Sequence, residues 1–111
     1  MATAADLRRI ALSLDGTTEA PHFDRAAFKA RRIYATLAAD GKTANLMLKP
    51  DEQALKCLTA PEAFAPVQGG WGKNGATTVA LANIEVIELT AALKLAHAHA
   101  MPKPVQNRPR R

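Results

Sequence analysis

Leu7, Ile10, Ala11 and Leu14 recur at i, i+3, i+4 and i+7, which predicts an amphipathic helix over roughly residues 4 to 14. Thr3 followed by Asp6 has the form of a capping box at its start. Asp15-Gly16 ends it, because glycine readily takes the left-handed backbone that closes a helix. From Ala26 the period changes to two. Ala26, Phe28 and Ala30 alternate with Ala27, Lys29 and Arg31, and Ile33, Ala35 and Leu37 alternate with Tyr34, Thr36 and Ala38. Asp40-Gly41 is a two-residue hairpin signal, after which Ala44, Leu46 and Leu48 alternate with Asn45, Met47 and Lys49. This pattern predicts three consecutive antiparallel strands with one apolar face, preceded by a shorter strand near residues 19 to 24.

Pro50-Asp51-Glu52 opens a second helix to about Thr59, with Asp51 the expected N-cap, Leu55 and Leu58 facing the core and Cys57 beside them. Pro61 stops it. Residues 64 to 68 read as a short extended piece, and Thr77, Val79 and Leu81 as another strand. Asn83 is the expected cap of a last helix, roughly residues 84 to 100. Val86, Leu89 and Leu93 form one stripe of it, and Ile84, Ile87, Ala91 and Leu95 a second, so contact on two sides is expected. The order helix, strands, helix, strands, helix predicts an α+β domain whose helices pack on one face of an antiparallel sheet.

The chain has 111 residues and is 48% hydrophobic, which suits one globular domain. It has no apolar run near 18 residues and no secretory leader pattern, and Cys57 is its single cysteine. A cytoplasmic protein without membrane, cofactor or metal is the expectation. Lys103, Arg108, Arg110 and Arg111, with no acid among residues 102 to 111, supply +4 of the net +5. The chain therefore divides into a domain over 1–103 and a basic tail over 104–111 of disordered composition. Arg25, Lys29, Arg31, Arg32, Lys42 and Lys49 against Asp24 and Asp40 make residues 22 to 49 basic as well. Either basic stretch could attract a phosphate polymer.

Gly70-Trp71-Gly72-Lys73-Asn74-Gly75 spells G-x-G-x-x-G. A dinucleotide loop opens directly into a helix whose N-terminus meets the pyrophosphate, whereas strand pattern follows here. A Walker loop needs Ser or Thr after the lysine, and Lys73 is followed by Asn74. The stretch is therefore read as a hairpin loop or wing in which glycines supply positive φ. Trp71 within it either folds back onto the core, the commoner place for a tryptophan, or stacks on a base or a partner.

Residues 5 to 103 resemble the MmcQ/YjbR family. The resemblance is most specific at residues 64 to 75, Phe-Ala-Pro-Val-Gln-Gly-Gly-Trp-Gly-Lys-Asn-Gly, and continues in residues 7 to 12, 27 to 29, 33 to 37, 46 to 53 and 96 to 103. It implies a CyaY-like fold and the DNA-binding role commonly attached to the family, and it brings no catalytic motif. Frataxins, which share the CyaY-like fold, bind iron through an acidic first helix. Arg8 and Arg9 beside Asp6 leave no such ridge here.

Individual residues offer little catalytic chemistry. Ser13 is the only serine and sits in a core helix, Cys57 reads as a buried thiol, and no paired carboxylates stand at a fixed spacing. His97 and His99 are two apart on a helix and point about 200° apart, so they cannot share a metal. If Phe28, Ile33, Leu37, Leu46 and Leu48 face inward, Lys29, Arg31, Tyr34, Thr36 and Lys49 face outward. The expected function is non-enzymatic nucleic-acid binding, with phosphates gripped by Lys29, Arg31, Arg32, Lys42, Lys49 and Lys73 and bases stacked on Tyr34 and Trp71. The alternative is a small-ligand or protein-interaction module with a pocket near Trp71, Tyr34 and His22.

Overall fold

The computed structural model describes residues 1–101. The expected basic tail over 104–111 lies outside those residues. The order is α1 (Ala4–Ser13), β1 (Thr18–His22), β2 (Arg25–Lys29), β3 (Ile33–Leu37), β4 (Thr43–Met47), α2 (Pro50–Thr59), β5 (Phe64–Pro66), α3 (Gly70–Lys73), β6 (Ala76–Ala80) and α4 (Val86–Ala100), with a 3₁₀ turn at Leu81–Asn83. The six strands form one antiparallel sheet in the order β1-β2-β3-β4-β6-β5. The predicted α+β architecture is the one observed. Among the described residues no helix is long and apolar enough to cross a membrane.

The capping box forms as the sequence suggests. Asp6 N donates to Thr3 Oγ1 at 3.1 Å, and Thr3 N donates to Asp6 Oδ2 at 3.0 Å. Leu7, Ile10 and Ala11 of α1 are buried and meet α4, which lies over β3 and β4, while α2 covers β5 and β6. The registers Phe28↔Ala35↔Leu46 and Leu37↔Ala44↔Val79↔Phe64 line up the apolar residues that face these helices. All of them belong to the core. Each large side chain fully withdrawn from water there contributes about 1.5–3 kcal/mol.

One residue breaks the strict alternation. Phe28 pairs with Ala35, but Lys29 pairs with Ile33, so one step along β2 matches two along β3 and Tyr34 is the extra residue of a bulge. The bulge takes Tyr34 out of the alternation. Its ring is fully buried with the helices, not outward as the period-two pattern implies. Its hydroxyl donates to the Ala11 carbonyl at 3.2 Å and meets the Thr17 hydroxyl at 2.9 Å.

Helix faces bring further corrections. Leu55 and Leu58 are 61% and 79% exposed, and the buried residue of α2 is Gln53. Cys57 does pack against the core, and burial pushes its thiol pKa up. Lys49 and Glu85, not Asp51 and Asn83, precede the first turns of α2 and α4. In α4 the buried stripe is Leu89, Ala92, Leu93, Ala96 and Ala100, while Ile87 and Ala91 of the expected second stripe are exposed. Ile84 and Leu95 of that stripe do pack with the core, and α4 meets both α1 and the sheet.

Candidate nucleic-acid interface

The outward face of the sheet is not the basic surface the alternation suggested. Its central row is Ala27, Thr36, Asn45, Thr78 and Ala65. Thr36 is outward as expected yet only 7% exposed, because Arg25 lies across it, Nε donating to Thr36 Oγ1 at 2.8 Å. Three of the six expected cations, Arg31, Arg32 and Lys49, gather at one end of the sheet instead. There the start of β3, the end of β4, the first turn of α2, the α3 turn and the last turn of α4 surround an open cleft of about 1710 Å³.

Arg31, Arg32, Lys49 and Trp71 line this cleft, with Tyr34 in its wall. Lys29 ends β2 opposite Ile33, which is also a lining residue, and Lys73 follows Trp71 in α3 without lining the cleft. Lys42 is not part of the group. It sits in the turn between β3 and β4, a strand length of about 15 Å from the cleft end. His22 is likewise excluded, since it pairs with Arg25 at the far end of the β1–β2 hairpin. The expected pocket near Trp71, Tyr34 and His22 thus keeps its first two members only.

Two arginines hold the cleft's walls together. The Arg31 amide donates to the Ala100 carbonyl at 3.1 Å, and Arg32 Nη2 donates to the His99 carbonyl at 2.7 Å. These contacts satisfy carbonyls that the end of α4 leaves without helical partners, and the second places the Arg32 guanidinium at the negative end of its dipole. Among the described residues, Arg31, Arg32 and Lys49 take part in no salt bridge. Asp15 is the one acid among the lining residues.

His97 and His99 do point to different partners, as their spacing requires, but both line the cleft. His97 Nε2 lies 2.7 Å from the Asp15 carbonyl. A carbonyl only accepts, so Nε2 carries the proton. The ring also meets Tyr34 edge-on, with centroids 5.3 Å apart. His99 Nε2 lies 2.8 Å from Glu52 Oε1, and the same carboxylate oxygen accepts the Lys49 amide at 3.0 Å. Among the described residues no group of three metal-ligating side chains occurs.

The glycine-rich stretch is, as expected, the connection of a hairpin, that of β5 and β6, with positive φ at Gly69 and Gly75; within it the chain winds into the helical turn α3. Gly69 has φ +88, and a Cβ on Gly72 or Gly75 would stand 1.7 Å from the Val67 carbonyl oxygen or 1.9 Å from that of Leu48. These two glycines are there for close backbone packing. From below, Gln53 Nε2 donates to the carbonyls of Gly72 and Ala76, both at 2.9 Å. Trp71 does not fold back onto the core. It is 71% exposed on the outside of this pinned turn.

The sequence signals behind the cleft are uneven. Composition singled out the cations and Trp71, but nothing in the periodicity marked Gln53, Asn74, His97 or His99 as neighbours of that site.

No family model matches the chain, and no curated protein matches it significantly. Among solved structures, the crystal structure of the Deinococcus radiodurans protein DR2400, with a DUF419 domain, is similar with a TM-score of 0.80. The identity is 23%, over 93% of this chain and 81% of that chain. The likeness establishes the fold.

Proposed function

We propose that this chain is a non-enzymatic, single-stranded nucleic-acid-binding protein of the MmcQ/YjbR type, a family to which DUF419 domains are recognised as similar. The observation that carries the reading is Trp71, 71% exposed in the same cleft as Arg31, Arg32 and Lys49. An exposed indole offers a stacking surface to any unpaired base, and flanking cations offer phosphate contacts. Lys29 and Lys73 would extend the track at its edges. The size of the cleft supports a polymer, since small-molecule pockets usually span about 300–1,000 Å³.

The test is quenching of the single tryptophan by single-stranded and duplex DNA at two salt concentrations. Three phosphate contacts on a single strand should lower log K by about two per log unit of salt, at roughly 0.7 for each contact. Absence of binding at low salt overturns the reading. So does binding that disappears when residues 104–111 are removed, which would assign it to the tail alone.

A second reading, a small anionic ligand in the same cleft, is favoured by His97 and His99, whose rings are oriented by Asp15 and Glu52. Calorimetry separates the two. A mononucleotide that binds as tightly as an oligonucleotide supports the small ligand.

A further inference from the structure

Trp71 is exposed although it is the largest apolar side chain of its turn, and that turn is anything but loose. Gly72 and Gly75 are pressed against the Val67 and Leu48 carbonyls, and Gln53 holds the Gly72 and Ala76 carbonyls. The backbone is therefore fixed from the core side while the indole stands in water. Asn74 follows three residues later, and residues three apart on one helical turn share a face. Its amide N–H is tied back to the carbonyls of Gly70 and Trp71, at 3.3 and 3.2 Å. Its side chain is exposed, lines the cleft beside Trp71, and makes no hydrogen bond to the described residues. A rigid turn thus presents an aromatic plane and, next to it, an unpaired amide.

We infer that Trp71 and Asn74 form a base-reading pocket for an unpaired adenine within the bound strand, an inference that rests on the nucleic-acid reading above. The indole supplies stacking, which tolerates any base but is strongest for the larger purine rings. The Asn74 amide supplies the edge recognition. It carries a donor and an acceptor side by side, the complement of the N6 donor and N7 acceptor of adenine. Arg31, Arg32 and Lys49 then position the strand through its phosphates without reading sequence.

The experiment titrates the full chain with short oligo(dA), oligo(dC) and oligo(dT), using tryptophan quenching, and repeats this for Asn74→Ala and Asn74→Asp. Oligo(dA) is expected to bind about tenfold more tightly than oligo(dT), the scale of one bidentate contact. Both variants should lose that preference, and Asn74→Asp, which adds a negative charge to the cleft that would hold the phosphates, should in addition weaken the binding of every oligonucleotide. Asn74 is exposed, so unchanged thermal midpoints should accompany these effects. Equal binding of the three oligonucleotides by the unmodified protein, or an unchanged adenine preference in both variants, overturns the inference and leaves the nucleic-acid reading standing. Absence of binding to any oligonucleotide overturns both.

Discussion

The side-chain amide of Gln53 donates to the main-chain carbonyl of Gly72 at 2.9 Å, joining the interior of α2 to the turn that displays Trp71. The same nitrogen serves Ala76 at the start of β6. Gln53 is the buried residue of its helix, and it adds a side-chain donor to two carbonyls that also accept from backbone amides, Gly72 from Gly75 N at 3.1 Å and Ala76 from Val67 N at 2.9 Å. Gln53→Ala should lower stability by about 1–3 kcal/mol, since two buried hydrogen bonds, each worth roughly 0.5–1.5 kcal/mol, would be lost. Urea denaturation measures this, and a change below about 0.5 kcal/mol would show that the pin is dispensable.

The glycines of the turn should respond unequally. Gly72→Ala and Gly75→Ala push a methyl group into the Val67 and Leu48 carbonyls, and Gly75 also has φ +108. Each should destabilise by more than about 2 kcal/mol, in the range of overpacking with backbone displacement. Gly70→Ala meets open space. It should be neutral or stabilising by roughly 0.4–1 kcal/mol, through reduced freedom of the unfolded chain. Thermal melts of the three variants give the comparison.

Trp71→Ala should separate binding from folding. The side chain is 71% exposed, so stability should change by no more than about 0.5 kcal/mol. Affinity for single-stranded DNA should fall by about 1–3 kcal/mol, the worth of one stacked base. Fluorescence polarisation with a labelled oligonucleotide, paired with a melt, checks both. A large loss of stability would show that the indole packs in solution.

Tyr34→Phe tests the bulge. The phenol is buried, and burial pushes its pKa up against the effect of the Thr17 hydrogen bond. Removing the hydroxyl leaves the Ala11 carbonyl and the Thr17 hydroxyl without this partner. Stability should fall by about 0.5–1.5 kcal/mol in denaturant titration. A neutral result would fit an outward-facing ring.

Glu52 sets an acid limit. Burial pushes its carboxyl up, but the Lys49 amide and the His99 ring outweigh burial and hold it below the ordinary 4.5. A folded-state pKa below the unfolded one contributes stability that is complete above 4.5 and is lost as pH falls through the lower value. Thermal midpoints should therefore decline below about pH 4.5 more steeply in the unmodified protein than in Glu52→Gln. Parallel curves would exclude a role for the pair formed with His99.

Local rules fixed much of this molecule. The stripe Leu7, Ile10, Ala11, the Thr3–Asp6 cap and the inward rows through Phe28, Leu37, Leu46 and Val79 are all short-range patterns, and each occurs as the residues imply. Asp40-Gly41 does turn the chain, but within a four-residue connection over 39–42 and not as a two-residue hairpin loop. Tyr34 escaped those rules because a bulge is a mismatch between two strands, and no count along β3 alone contains it. Leu55 and Leu58 escaped because α2 spends its inward position on Gln53, a choice made by carbonyls some twenty residues away. The cleft is the clearest tertiary product. Arg31, Lys49, Trp71 and His97 come from four separate stretches of chain and meet because β6 inserts between β4 and β5 while α4 ends over the same edge. Period and composition act over a few residues, so they name the cations and the tryptophan. Only strand order and packing decide that these side chains share one opening.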